Sequence, residues 1–164
     1  MTVTEVTLDA IHLVGIEVVG RIEELQRHVP AAWQRLTERA EEIPHREENG
    51  LFYGVVPDAM HTSSEADVVY SYTIGVPVER FGDAIPDGLV TLTIPAQRYA
   101  QATVRGGAEV IDATYIALGR WMGENGRAPD ASALGFERYD VTRQRPTPPY
   151  DTFDYDVLRP LAAS

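Results

Sequence analysis

The sequence contains no cysteine and no lysine, so all 14 of its basic residues are arginine. The absence of cysteine excludes disulfide bonds, thiol nucleophiles and cysteine-ligated zinc. The absence of lysine excludes a Schiff-base lysine and the lysine of a Walker-type phosphate loop. Acidic residues number 25, and the resulting net charge of −11 argues against direct binding of nucleic acid.

Long hydrophobic runs are also missing. No stretch approaches the ~20 apolar residues of a membrane-spanning helix, and segment 1–5 has no basic region followed by an apolar core. We therefore expect a cytoplasmic protein without membrane association. Its 164 residues, 44% of them hydrophobic, suit one domain with a stable core of its own.

Motifs of familiar enzyme classes do not occur. The chain has no His-Glu-x-x-His, Gly-x-Ser-x-Gly or Gly-x-Gly-x-x-Gly sequence, and its four histidines lack metal-ligand spacing. We expect no metal and no cofactor. The histidines are predicted to be surface or loop residues: His12, His28, His45 and His61.

Hydrophobic patterning predicts strands on either side of a helix in the first half of the chain. β-branched residues over 6–19 indicate one long or two short strands. A helix is predicted to begin near Pro30, since proline suits the first helical position, and to end at Pro44. Strands over 51–56 and 68–78 follow, joined by a polar loop over 57–67.

The second half repeats this order. Strands are predicted over 89–94 and 99–104, and a helix then runs from Gly106-Gly107 to a stop at Asn125-Gly126. The last two strands, 136–141 and 153–158, are joined by a proline-rich loop over 143–151.

The two halves superimpose with a shift of 83 or 84 residues. Phe52-Tyr53-Gly54 then matches Phe136-Glu137-Arg138, and a Tyr-to-Pro spacing beginning at Tyr72 recurs at Tyr155. We predict an α+β fold of duplicated β-α-β-β units, about 6–80 and 88–162, with pseudo-twofold symmetry. The fold would have antiparallel sheets, one helix per repeat and a central ligand cleft on the axis, because one unit alone cannot bury enough surface.

Aromatic residues in the predicted elements allow two interpretations. Alternation along a strand places Tyr70 and Tyr72 on one face, and Phe153 and Tyr155 on one face of the matching strand. Such rings commonly pack in a core. Alternatively, they line a flat pocket for a planar or cationic organic ligand.

Glu137 interrupts an otherwise strand-like segment, and in the alignment of the halves its counterpart is Tyr53. The pattern is equally consistent with an exposed carboxylate and with a buried one. If Glu137 is buried, its pKa is raised or it lies opposite a cation.

Five short stretches in sequence order resemble one family. The chain is similar to the GyrI-like small-molecule-binding domain, which is also the effector-binding domain of AraC- and MerR-type multidrug regulators. The resemblance extends over nearly the whole chain, 1–164, as a single domain. The matching stretches are Val29 to Leu36, Tyr53-Gly-Val, Tyr72 to Val78, Ile94 to Ala100, and Gly135 to Asp140.

The resemblance implies a cleft for lipophilic, often cationic aromatic molecules with a glutamate near its centre, which corresponds to Glu137. Together with the aromatic pattern, it gives a set of candidate ligand-binding residues: Trp33, Tyr53, Tyr72, Tyr115, Trp121, Glu137, Tyr139 and Tyr155.

Two other functions stay open at this point. Some similar stand-alone proteins are hydrolases that open cyclopropanoid compounds, and here Glu137 with Tyr155 would activate water. The family name also suggests a protein-interaction module that inhibits a partner such as DNA gyrase. No helix-turn-helix precedes Met1 in this sequence, so direct transcriptional control is not expected.

Overall fold

The computed structural model describes residues 1–62, 65–145 and 147–163, and these form an α+β fold with eight strands in one curled antiparallel sheet. The predicted loops over 57–67 and 143–151 include residues 63, 64 and 146, which lie outside the described residues. The strands are β1 Thr4–Leu8, β2 Ile11–Gly20, β3 Leu51–Pro57, β4 Tyr70–Pro77, β5 Val90–Ile94, β6 Gln97–Gly106, β7 Leu134–Asp140 and β8 Phe153–Pro160. The helices are α1 Ile22–Arg39, α2 Ala59–Thr62 and α3 Glu109–Glu124, with a 3-10 turn at Ala40–Glu42.

The strand order β1-β6-β8-β7-β3-β4-β2-β5 confirms the duplicated, pseudo-twofold arrangement. β3 and β7 meet at the centre, and the same sequence of neighbours extends from each toward its own edge. Each half also has a leading strand that the β-α-β-β prediction did not separate. That strand pairs with the opposite half, β1 with β6 and β5 with β2, so the exchanged strands tie the two halves into one sheet.

The start of the first helix was predicted wrongly. Helix α1 begins at Ile22, and Pro30 lies inside it on the exposed side. Glu24 Oε1 accepts hydrogen bonds from the backbone N–H and from Nε of Arg21, so the first turn is capped at Arg21. Pro30 is tolerated because water can replace its missing hydrogen bond at the Gln26 carbonyl.

The two faces of the sheet have separate cores. On the face covered by α1 and α3, called the helix face, one row of directly paired residues crosses the sheet: Ile16, Ile74, Gly54, Glu137, Val157 and Ala102. Trp33 and Leu36 of α1 and Leu118 and Met122 of α3 pack on this face. The opposite or inner face carries its own buried cluster: Leu13, Tyr53, Val55, Ile94, Tyr99, Phe136 and Leu158.

The repeat shift is 83 residues between β3 and β7 and between β4 and β8, and 86 residues between β1 and β5 and between β2 and β6. Gly54 pairs directly with Glu137 across the symmetry axis, while Tyr53 pairs with Arg138. The sequence alignment that matched Tyr53 to Glu137 was therefore one residue out of register. Since a slip of one residue moves a strand side chain to the other face, Tyr53 lies on the inner face and Glu137 on the helix face.

Candidate functional site

Glu137 lies half-buried at the centre of the helix face, between Gly54 on β3 and Val157 on β8. Three tyrosine hydroxyls from three elements donate to its carboxylate. Tyr139 and Tyr72 bond to Oε2, the latter at 3.4 Å, and Tyr115 reaches it from α3. In the described part of the chain no arginine or histidine pairs with this carboxylate.

The surroundings shift the acidity of all four groups. Burial raises the pKa of Glu137, and hydrogen bonds from Tyr139, Tyr72 and Tyr115 oppose that rise. Burial, together with the negative charge of Glu137, holds the pKa of each of these tyrosines well above its usual value. The phenols therefore remain neutral donors to a carboxyl group that has no basic partner among the described residues.

A glycine makes this arrangement possible. A Cβ atom on Gly54 would lie 2.3 Å from the Tyr72 hydroxyl oxygen, so any other residue there would displace the phenol. Strand β3 lies between β4 and β7. The space above Gly54 therefore lets the Tyr72 side chain of β4 cross β3 and reach Glu137 on β7.

Gly54→Ala is expected to move the Tyr72 phenol off Glu137 while the fold survives, because the obstructing atoms are the end of a side chain. Losing one hydrogen bond to the charged form should raise the pKa of Glu137 further, because the bond from Tyr72 lowers it. A titration of the Glu137 carboxyl carbon by NMR measures this. Gly119→Ala, where a Cβ meets nothing within 4 Å, is the control and should leave the pKa as it is. Equal pKa values in both variants would contradict the assignment.

A row of aromatic rings adjoins the carboxylate. Trp33 packs edge-on against Tyr139 with ring centroids 5.4 Å apart, and Tyr139 stacks on Tyr155 at 4.8 Å. The row continues through Phe153 to Tyr150, whose pKa is raised by burial and by the charge of Glu137. The rings of both halves and of the 143–151 loop thus converge on one anion.

The short helix α2 forms the remaining wall. His61 stacks on Tyr115 with ring centroids 4.8 Å apart, and burial, with the charge of Arg159, lowers its pKa. Asp58, directly before α2, is fully buried and accepts two hydrogen bonds from Arg159, at 3.0 and 2.9 Å. This ion pair holds the start of α2 against β8 and so helps to position the His61 ring on Tyr115.

The structure brings together most, but not all, of the residues predicted from the sequence. Trp33, Tyr72, Tyr115, Tyr139 and Tyr155 surround or adjoin Glu137. Tyr53 and Trp121 are the two exceptions. The Tyr53 ring packs against Phe136 on the inner face. Trp121 packs on the core beneath α3, and no contact among the described residues joins it to the carboxylate.

Sequence reasoning missed Gly54, His61 and Tyr150. The repeat contained the signal for Gly54, because the spacing from Tyr72 to Tyr155 is 83 residues and the same shift carries Gly54 onto Glu137. His61 and Tyr150 lie in irregular segments without periodicity, and their positions depend on tertiary contacts alone.

Chemically, the site offers an accessible anion, neutral hydroxyl donors and several ring faces. Such a combination attracts cations, because the anion is poorly solvated and ring faces add cation–π attraction. Among the described residues no group of acidic residues and histidines could hold a metal ion, and no helix is long and apolar enough to cross a membrane.

Comparison with known proteins agrees with this geometry. Residues 1–162 match the family model for the GyrI-like small molecule binding domain. The transcriptional regulator BrlR of Pseudomonas aeruginosa is 30% identical over 123 residues, which are 74% of this chain and 43% of that protein. The chain therefore spans less than half the length of that relative.

Two solved structures share the fold at low identity. SAV2435 bound to tetraphenylphosphonium aligns with a TM-score of 0.69 and 18% identity, over 99% of this chain and 94% of that one. A hydrolase from Listeria innocua aligns with a TM-score of 0.55 and 12% identity, over 98% of this chain and 91% of the other.

Proposed function

The chain belongs to the GyrI-like small molecule binding domain family, and from this premise we propose that it binds lipophilic aromatic cations around Glu137. The observation that carries the proposal is the half-buried carboxylate that three phenols contact and that no basic side chain of the described residues neutralises. A bound organic cation would supply the missing counter-charge. The tetraphenylphosphonium bound to SAV2435 is a ligand of this chemistry, which supports the proposal.

Each component of the cleft has a separate part in this binding. Glu137 supplies attraction that water screens weakly, because the rings around it exclude solvent. Each ring face in contact with a cation adds about 0.5–2 kcal/mol. The rings of Tyr72 and Tyr155, at equivalent positions of the two repeats, would contact opposite sides of one ligand.

Tetraphenylphosphonium is expected to bind with micromolar-range affinity, roughly −8 kcal/mol, as for an adaptable pocket with few polar contacts. Tyr72→Ala and Tyr155→Ala should each weaken binding, measured by isothermal titration calorimetry. Tyr53→Phe, on the inner face, is the control and should bind normally. Full affinity in both alanine variants, or no saturable binding at high micromolar concentration, would refute the proposal.

A second candidate function is the hydrolysis of cyclopropanoid compounds in the same cleft. One observation favours it, because a carboxylate whose pKa is raised by burial is suited to accept a proton from water. Tyr139 and Tyr72 contact this carboxylate directly, while Tyr155, the sequence candidate, lies one ring further away. Mass spectrometry of a cyclopropanoid after incubation with the protein tests for the ring-opened product. Inhibition of a gyrase stays a prediction, tested by a supercoiling assay.

A further inference from the structure

The inner face of the sheet carries two surface cavities, on the opposite side of the strands from Glu137. The first has a volume of about 340 Å³. Its lining includes Val55, Leu92, Leu134, Glu17, Ser71 and Thr73. The second, of about 230 Å³, extends from Leu134 past Tyr99. Leu134 lines both cavities, so they adjoin at that residue.

The lining of the first cavity combines apolar side chains with Glu17 and three hydroxyl residues, Ser71, Thr73 and Thr91. Glu17 on β2 and Thr73 on β4 are directly paired and share the inner face, and Glu17 accepts a hydrogen bond of 2.6 Å from Ser71. Leu92 and Leu134 face them from β5 and β7, strands that are distant in the sheet order and that the curl of the sheet brings together. The groove thus presents one carboxylate and several hydroxyl groups beside apolar side chains.

Two hydroxyl groups of buried residues border these cavities without a protein hydrogen-bond partner. Thr73 is 6% exposed and Tyr99 is 1% exposed, and the hydrogen bonds of the described residues include none from either side chain. Burial alone raises the pKa of Tyr99 to about 12, so its phenol is a neutral donor. Among the described residues the only buried side-chain polar atom without a hydrogen-bond partner is the Tyr70 hydroxyl oxygen, so the Thr73 and Tyr99 hydroxyls are open to the cavities. Both are therefore available to a ligand.

We propose that this groove is a second binding site, which takes an elongated amphipathic amine. Its ammonium group would meet Glu17 and the Thr73 hydroxyl, and its apolar body would lie against Leu92 and Leu134. A polar atom further along the ligand would accept a hydrogen bond from Tyr99. This site uses none of the residues of the Glu137 cleft, so the two sites can be occupied independently.

The test uses n-octylammonium as the probe and NMR of the backbone amides as the readout, with the cleft saturated by tetraphenylphosphonium. Shifts at Thr73, Leu92 and Leu134 are expected to saturate by roughly 10 mM, ten times the dissociation constant expected for so small a ligand. Glu17→Gln should weaken binding about three- to fivefold, as for an exposed charge pair. Glu23→Gln, an exposed carboxylate on α1, should have no effect.

Thr73→Val separates a binding role from a structural one. Because the Thr73 hydroxyl has no partner among the described residues, its removal should leave the free energy of unfolding unchanged or raise it, while octylammonium binds more weakly. Lower stability with unchanged binding would overturn the proposal. So would an absence of saturable shifts, or shifts confined to the Glu137 cleft that tetraphenylphosphonium abolishes. Failure of tetraphenylphosphonium to bind at all would count against the proposed function alone.

Discussion

Asp58→Ala is expected to lower the free energy of unfolding by about 3–5 kcal/mol, measured by urea denaturation. The Asp58 carboxylate is fully buried, and its two oxygens accept hydrogen bonds from Nε and Nη2 of Arg159. Its removal leaves a buried guanidinium charge without a partner. Removing one partner of a buried ion pair strongly lowers the free energy of unfolding, whereas replacing both partners by apolar residues of similar size often changes it little.

Two further variants separate the burial effect from a general loss of charge. Glu42→Gln breaks an exposed pair with Arg39 and should leave the free energy of unfolding nearly unchanged, because water and salt screen such a pair. The double variant Asp58→Ala/Arg159→Met removes both buried charges and should recover part of the lost stability. A double variant less stable than Asp58→Ala would show that the unpaired charge is not the cause.

Asp58→Ala should also weaken tetraphenylphosphonium binding, although Asp58 touches none of the tyrosines that donate to Glu137. The ion pair fixes the start of α2, and α2 carries the His61 ring that stacks on Tyr115. Comparison at a temperature where the variant is still folded isolates this effect. Unchanged affinity there would remove α2 from the cleft wall.

Glu137→Gln is expected to weaken the binding of aromatic cations by about 1–3 kcal/mol, the contribution of a hydrogen bond to a charged group. The substitution keeps the side-chain shape, so triphenylphosphine oxide, a neutral aromatic of similar form, should lose much less affinity. Glu124→Gln, at the exposed end of α3, is the control. If Glu137 also activates water, the variant should lose turnover where binding survives, because an amide is not a general base. Equal losses for the cation and the neutral compound would falsify the role of the charge.

The affinity for cations should depend on pH in a defined direction. Because burial raises the pKa of Glu137, the carboxylate protonates at a higher pH than an exposed one, and tetraphenylphosphonium affinity should fall as the pH falls through that pKa. The contribution of Glu137 to the free energy of unfolding changes with pH in the opposite direction, and increases as the pH falls. The reason is that the folded state holds this proton more tightly than the unfolded state. Glu137 thus stabilises the fold below its unfolded pKa and ceases to do so as pH rises through the folded value. At neutral pH, Glu137→Gln should therefore be at least as stable as the parent protein.

The sequence by itself determined the order of the longer strands and the two long helices, the duplication and the family, but not the short helix α2. These follow from local patterns: alternation over strands, the helical face of Trp33 and Leu36, and the repeated spacing from Tyr to Pro. The start of α1 was missed because a side-chain cap at Arg21 competes with the proline signal at Pro30, and the pattern does not rank the two.

Only the tertiary structure decided which residues share the site. The side-chain direction in a strand reverses with every residue, so the sequence alignment, uncertain by one position, could not choose between Tyr53 and Gly54 as the partner of Glu137. His61 lies 54 positions from Tyr115 in the chain, and the buried Asp58–Arg159 pair helps to fix its place. The sequence thus identified the anion and most of its rings, whereas pairing register and long-range packing determined which of them contact each other.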